Sequence, residues 1–373
     1  MSSVTPPPSS SLSSDGITPP PPSIIPDFQY TASGRMKGKA GHPLLRVGGQ
    51  YVRTVEMFTL PSVVMKAGIN RESAPEDEEY TESENRLFDV WQELINLDPS
   101  VLKACTSTKN MADAAHQVRS KMHWVMLQLG ASNTKALDTN GIKINIPLWW
   151  DKIRPSDSAL GPIPNEKSDR GHGNDACHYL LCPVDLDYQD TDILVSKSTI
   201  NGEPMDGSDY PNFLHSTNID KDRLWLSFLK GGLLVQAYKH VFTSLSSARV
   251  SRESAASSSA STRAGNAQLY GMTSVTKASI AYIATQVMFC LTAYPTFNKT
   301  HKSLEAVLFY NSILDYLNDP LFHEHNVALL KWWNLQIFLR YTSKNVNKTR
   351  PSAHQQMRDA VLAVRSESPG SNI

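Results

Sequence analysis

Four side chains able to bind a metal fall within eleven residues: His172, Cys177, His178 and Cys182. Zinc asks for tetrahedral N/S ligation, commonly from ligand pairs two to four residues apart in each of two knuckles. Here four residues separate Cys177 from Cys182, and no second Cys or His pair follows nearby. The set departs from the zinc pattern, and Cys182, inside Leu180-Leu181-Cys182-Pro183, reads better as a packing residue. His323-Glu324-His325 offers two imidazoles, but side chains two apart on a helix point about 200° away from each other. The zinc-protease arrangement needs i and i+4. Gly265 to Gly271 has the outline of a phosphate loop, with the second glycine six positions after the first instead of five and Met272 where the lysine belongs. Asp185, Asp187, Asp190 and Asp192 gather oxygen ligands without the central glycine and terminal glutamate of a calcium loop. No Gly-x-Ser-x-Gly elbow occurs. The sequence thus assigns no catalytic residue and no cofactor.

The elements that would position these residues are mostly helices. Thr81 and Glu84 form a capping box ahead of Leu87, Val90, Trp91 and Leu94. A second helix is expected from about Asn110, with Met111, Ala115, Val118, Met122, Val125, Met126 and Leu129 on its buried face and Gly130 as its stop. Asn140-Gly141 then reads as a turn, and the alternation of Ile142, Ile144 and Ile146 up to Pro147 as a short strand, one arm of a minor hairpin. Residues 151–220 are rich in Pro, Gly, Asp and Asn, a loop length that points to function or lack of order.

Further helices are expected over 222–243, carrying Gly231 and Gly232, and over 274–294, short of a membrane span and therefore buried. Between them, residues 244–262 form a Ser/Ala-rich flexible insert. The glycines invite close approach to Ala278, Ala281 and Thr285, so Gly232→Leu should overpack that helix pair. Leu304–Leu317 and Leu321–Tyr341 complete the set. Adjacent helical residues cannot share a face, so one of Trp332 and Trp333 should be core and the other half-exposed.

Residues 1–49 form a Pro/Ser-rich tail and loose basic arm, 50–345 a mainly α-helical globular domain, and 346–373 a polar tail with one possible short helix. The 36 basic and 36 acidic residues balance, which removes any whole-molecule electrostatic argument for nucleic acid. Four cysteines and a start with neither basic leader nor apolar stretch lead to the expectation of a soluble protein of the cytoplasm or nucleus with reduced thiols.

Gly232-Leu-Leu-Val-Gln-Ala-Tyr-Lys-His-Val-Phe-Thr-Ser244, Gly271-Met-Thr-Ser-Val-Thr276 and Ser279-Ile-Ala-Tyr-Ile-Ala-Thr-Gln286 resemble an uncharacterised family expanded in mushroom-forming (basidiomycete) fungi. Phe309-Tyr310, Trp332-Trp-Asn-Leu-Gln-Ile-Phe338 and Leu181-Cys182-Pro183 fit as well, so the resemblance covers roughly residues 85–340. Being a domain of unknown function, the family implies no site residues. The first functional expectation is a non-enzymatic interaction or scaffold domain with a protein partner and no membrane span. A second is a nucleic-acid-associated protein of mobile-element origin, using Arg35, Lys37, Lys39, Lys344, Lys348 and Arg350. A third is an enzyme whose site lies between loop 151–220 and the 222–243 helix.

Overall fold

The computed structural model describes residues 42–75, 78–101, 114–154, 159–190, 209–243, 265–297 and 306–338, with backbone alone for 114–123. Arg35, Lys37, Lys39, Cys105, Asp192, the 244–262 insert, Lys344, Lys348, Arg350 and the 346–373 tail lie outside these residues. The helices are α1 (Pro43–Thr54), α2 (Pro61–Glu72), α3 (Glu82–Leu97), α4 (Ala114–Ile153) and α5 (Asp175–Leu181). They continue with α6 (Gly232–Phe242), α7 (Asn266–Leu269), α8 (Lys277–Leu291), α9 (Ala306–Asn318) and α10 (His323–Ile337). No strand forms among the described residues; an isolated antiparallel bridge joins Pro183 and Pro211. The fold is mainly α.

Helix α8 is the axis of the core. Every residue from Ser279 to Leu291 is buried, and α1, α4, α5, α6 and α9 all pack against it. Its start is held by a capping box in which Thr276 Oγ1 accepts from Ser279 N and Ser279 Oγ accepts from Thr276 N. The cap is thus Thr276, so the helix starts slightly later than the 274 that the sequence pattern suggests. The Thr81/Glu84 box of α3 forms as read, with Trp91 and Leu94 buried beneath it. Trp333 is fully buried and Trp332 half-buried, and His323 opens α10.

Helix α4 corrects the sequence reading most. It runs for 40 residues, about 60 Å, straight through Gly130, Asn140-Gly141 and Pro147. The isoleucines follow helical spacing: Ile142 and Ile146 are buried and Ile144 is exposed. Pro147 cannot donate to the carbonyl of Lys143 four residues back. Arg170 Nη2 supplies that missing donor at 2.9 Å. Gly130 does not stop the helix, because it lies where the backbone of α1 crosses. A Cβ at Gly130 would run into the Leu45 carbonyl, and one at Gly48 into the Leu127 carbonyl. Val125 and Leu129, expected inside, are exposed, while Met126 and Leu127 face α1.

The 222–243 helix is also broken. A 3-10 turn covers Leu224–Leu226, Leu229 adopts φ +55°, and α6 begins at Gly232. Left-handed leucine is strained. Two hydrogen bonds, from Lys230 N and Gly231 N to Leu214 O, and a third from Trp333 Nε1 to Leu229 O, hold the turn. Gly231 has the Phe213 carbonyl where a Cβ would be. Gly232 faces Ile153 of α4 (3.1 Å from a built Cβ to Cδ1), not the small residues of α8; α6 meets α8 through Tyr238 Oη and Ser279 Oγ at 2.8 Å. Finally, α1 starts at Pro43, so the end of the 1–49 segment, expected to be a loose arm, is helical from that residue.

The glycine crossing gives a direct test. Alanine at an exposed helix position would gain about 1 kcal/mol over glycine. At Gly48 or Gly130 the Cβ would overlap a carbonyl, and overpacking of this kind costs about 1–3 kcal/mol. Chemical denaturation should show Gly48→Ala and Gly130→Ala destabilised, and Gly161→Ala, which meets open space, within about 0.5 kcal/mol of wild type.

Candidate binding cleft and the polar lattice beneath it

Most of the described polar groups that α8 cannot satisfy by itself are answered by other segments, the buried Gln286 amide nitrogen excepted. Arg53, at the last turn of α1, forms a two-pronged ion pair with Asp138 in the middle of α4: Nε to Oδ2 at 2.8 Å and Nη2 to Oδ1 at 2.6 Å. Both side chains are buried. Tyr282 of α8 donates to the same Oδ2 at 2.7 Å, and Arg53 Nη1 donates to Tyr270 Oη at 2.5 Å. Burial opposes the charge on Arg53, but its hydrogen bonds to Asp138 and that carboxylate's charge reverse the effect and raise its pKa. Burial and the Asp138 charge push Tyr282 well above the ordinary phenol range. One carboxylate therefore ties α1, α4 and α8 together.

The other end of α8 is capped by two cations from the connection after α4. Lys167 Nζ donates to Phe289 O at 2.8 Å and Thr292 O at 2.5 Å, and lies 4.0 Å from the Phe289 ring centroid. Arg170 Nη1 donates to Cys290 O at 2.8 Å while its other nitrogens reach Pro164, Asn165 and Lys143 carbonyls. Cations at the negative end of a helix are favourable. Burial pushes Lys167 down to about 8 and lowers Arg170. The aperiodic composition of 151–220 hid this role.

The four side chains weighed as weak metal candidates, His172, Cys177, His178 and Cys182, end up in and beside α5. His172 Nδ1 faces His178 Nδ1 at 2.9 Å, and His178 Nε2 faces Tyr188 O at 3.0 Å. A carbonyl only accepts, so His178 Nε2 carries a proton and a neutral His178 accepts from His172 at Nδ1. Burial lowers the pKa of His178. Cys177 is buried and pushed up to about 11, Cys182 caps α5 as a buried residue, and Cys290 is buried and pushed up to about 12. Among the described residues no three His, Cys, Asp or Glu side chains are grouped to hold a metal ion.

Where loop 151–220 meets the segment before α6, sequence reasoning missed a pair. His215 Nδ1 lies 2.9 Å from Ser227 Oγ, and both residues are buried. The Ser227 hydroxyl also reaches Leu224 O at 3.1 Å, which makes His215 Nδ1 the donor to Oγ. His215 Nε2 has no hydrogen-bond partner, and burial pushes the ring down to about 4. A serine nucleophile needs its histidine as a proton acceptor held by a third group. Here the geometry runs the other way, and the pair serves the turn.

An accessible concavity lies elsewhere among the described residues. A half-open cleft of about 440 Å³ separates the middle of α4 from the last turns of α8. Helix α4 contributes Lys135, Ala136, Thr139, Asn140 and Lys143; α8 contributes Gln286 and Phe289. Met57 and Phe58 come from the α1–α2 connection, and Pro295 and Phe297 follow α8. Phe297 packs on Phe289 (centroids 4.7 Å) and Phe58 (6.2 Å), making one apolar wall. Thr139 Oγ1 lies 2.7 Å from Lys135 O and 2.6 Å from Gln286 Oε1, two acceptors for one hydroxyl proton. Gln286 is fully buried, and its Nε2 has no hydrogen-bond partner.

A model described as a family of unknown function, DUF6698, matches residues 129–338. The chain belongs to that family. The match starts within α4 and ends just past α10, so α1 to α3 lie outside it, as do Met57 and Phe58 of the cleft wall. It is narrower at its start than the 85–340 suggested by resemblance. No curated protein and no solved structure matches the chain.

Two measurements probe this lattice. Asp138→Asn leaves Arg53 buried without its countercharge, so equilibrium unfolding should show a loss of about 3–5 kcal/mol. Replacing both with apolar residues, Arg53→Met with Asp138→Leu, should recover much of that loss. For the imidazoles, folding lowers the pKa of His215 and His178, so the unfolded chain binds more protons. Stability should therefore fall as pH drops from 6.5 to about 4, by about 3 kcal/mol from His215 alone. His215→Asn, whose amide can still donate to Ser227, should flatten the slope of urea-unfolding free energy against pH over that window.

Proposed function

We propose that the domain is a non-enzymatic interaction module that docks a protein partner on the outer face of α4. One observation carries this reading. As the buried face winds along α4 from Met126 and Leu127 to Ile142, Ile146 and Trp149, the opposite side keeps Val125, Leu129, Leu137, Ile144 and Leu148 in solvent. Leu137 is 71% and Ile144 60% exposed. Apolar residues aligned along one helix mark a contact surface, whereas scattered ones need no explanation. The described histidines and cysteines that could serve chemistry are engaged in packing, which further supports binding over catalysis. Cys177 and Cys290 are free thiols, which favours a reducing compartment, cytoplasm or nucleus.

The test is site-specific photo-crosslinking in the native cell, with benzoyl-phenylalanine at Leu137 or Ile144 and, as control, at exposed Glu93 of α3. Discrete protein adducts should arise from the α4 positions alone. Leu137→Glu with Ile144→Glu should abolish adducts formed from Leu148 while changing stability by less than about 0.5 kcal/mol per site, because both are exposed. Equal adducts from Glu93, or adducts from Leu148 that survive the double charge variant, would overturn the reading.

A further inference from the structure

The cleft carries a second, separate inference. Its walls combine an aromatic cluster (Phe58, Phe289, Phe297) with Lys135 and Lys143, and its described lining residues include no carboxylate. Its volume of about 440 Å³ lies within the range of small-molecule pockets, which likewise pair an apolar wall with a few polar groups. We propose that it binds a small amphiphilic carboxylate, with the apolar body on the phenylalanine wall and the carboxylate at the Lys135–Lys143 edge.

The charge argument selects the anion. Lys135 Nζ donates to Met57 O at 3.2 Å, which holds its ammonium at the cleft mouth, and Lys143 stands two helical turns further along α4 on the same side. Opposite them is the last turn of α8, the negative end of that helix, which Lys167 and Arg170 already cap. A monoanion fits two lysines beside a helix C-terminus. A phosphate dianion would meet more of that negative end and lacks the arginine fork or helix N-terminus that such groups favour. A cationic amphiphile would face both lysines. On the floor, the Gln286 amide nitrogen, which has no hydrogen-bond partner, is a donor that a ligand oxygen could use.

Calorimetry on the full chain tests the inference, with decanoate, decyl phosphate, decanol and decyltrimethylammonium, each below its micellar concentration. Decanoate should bind at least about tenfold more tightly than the other three. Lys143→Gln should weaken decanoate by about tenfold and leave decanol unchanged. Leu137→Glu, on the neighbouring docking face, should leave decanoate unaffected, so failure here is separable from failure of the partner-docking proposal. Binding of all four with similar affinity, binding of none, tighter binding of decyl phosphate, or loss of decanoate binding in Leu137→Glu would each overturn it.

Discussion

A helix with no solvent-exposed side must have its side-chain polar groups, and the carbonyls of its last turn, answered by neighbours. Helix α8 meets that demand at three levels, with the Gln286 amide nitrogen as the exception. Its start is closed by Thr276, whose hydroxyl also donates to Thr54 O at the end of α1. Its middle presents Tyr282 to Asp138 and Gln286 to Thr139, and its end presents bare carbonyls to Lys167 and Arg170. Leaving any one of these unpaired in a low-dielectric interior would cost more than the pairing contributes. The placement of α1, α4 and the 159–173 connection is therefore dictated as much by polar satisfaction as by apolar burial.

Helix α4 carries the consequences. Its inner side must approach α1 closely enough to bring Arg53 onto Asp138, and glycine at positions 48 and 130 makes that approach possible. Its opposite side is left uncovered by the other described residues, so a winding apolar stripe stays in solvent. The cleft opens on the same helix, beside the stripe, where Ala136 and Asn140 are exposed. An exposed apolar ridge and a concavity thus share a helix whose position the Arg53–Asp138 pair sets.

The family region begins inside α4 and holds the whole of α8, so it contains the buried axis and most of the cleft but neither Arg53 nor Gly48. The partner of Asp138 comes from the segment before it. A charge within the family region is neutralised from outside that region, which makes α1 an integral part of the folded unit and not an appendage.

Features set by neighbouring residues were legible in the sequence. The Thr81/Glu84 box, the end of α9 at Asn318, the division of Trp332 and Trp333 between core and edge, and the burial of α8 all follow from local spacing and side-chain type. The middle of α4 was not legible, because Gly130, Asn140-Gly141 and Pro147 are breakers by local rules. They are overridden by a backbone crossing at Leu45 and by a guanidinium from Arg170 that takes over the carbonyl Pro147 orphans. The Arg53–Asp138, His215–Ser227 and Lys167–Phe289 contacts join residues 85, 12 and 122 positions apart. A one-dimensional pattern fixes which side of a helix is apolar, since that depends on periodicity along the chain. Which carbonyl, carboxylate or ring a distant cation will meet depends on how the helices cross, and tertiary packing alone decides that.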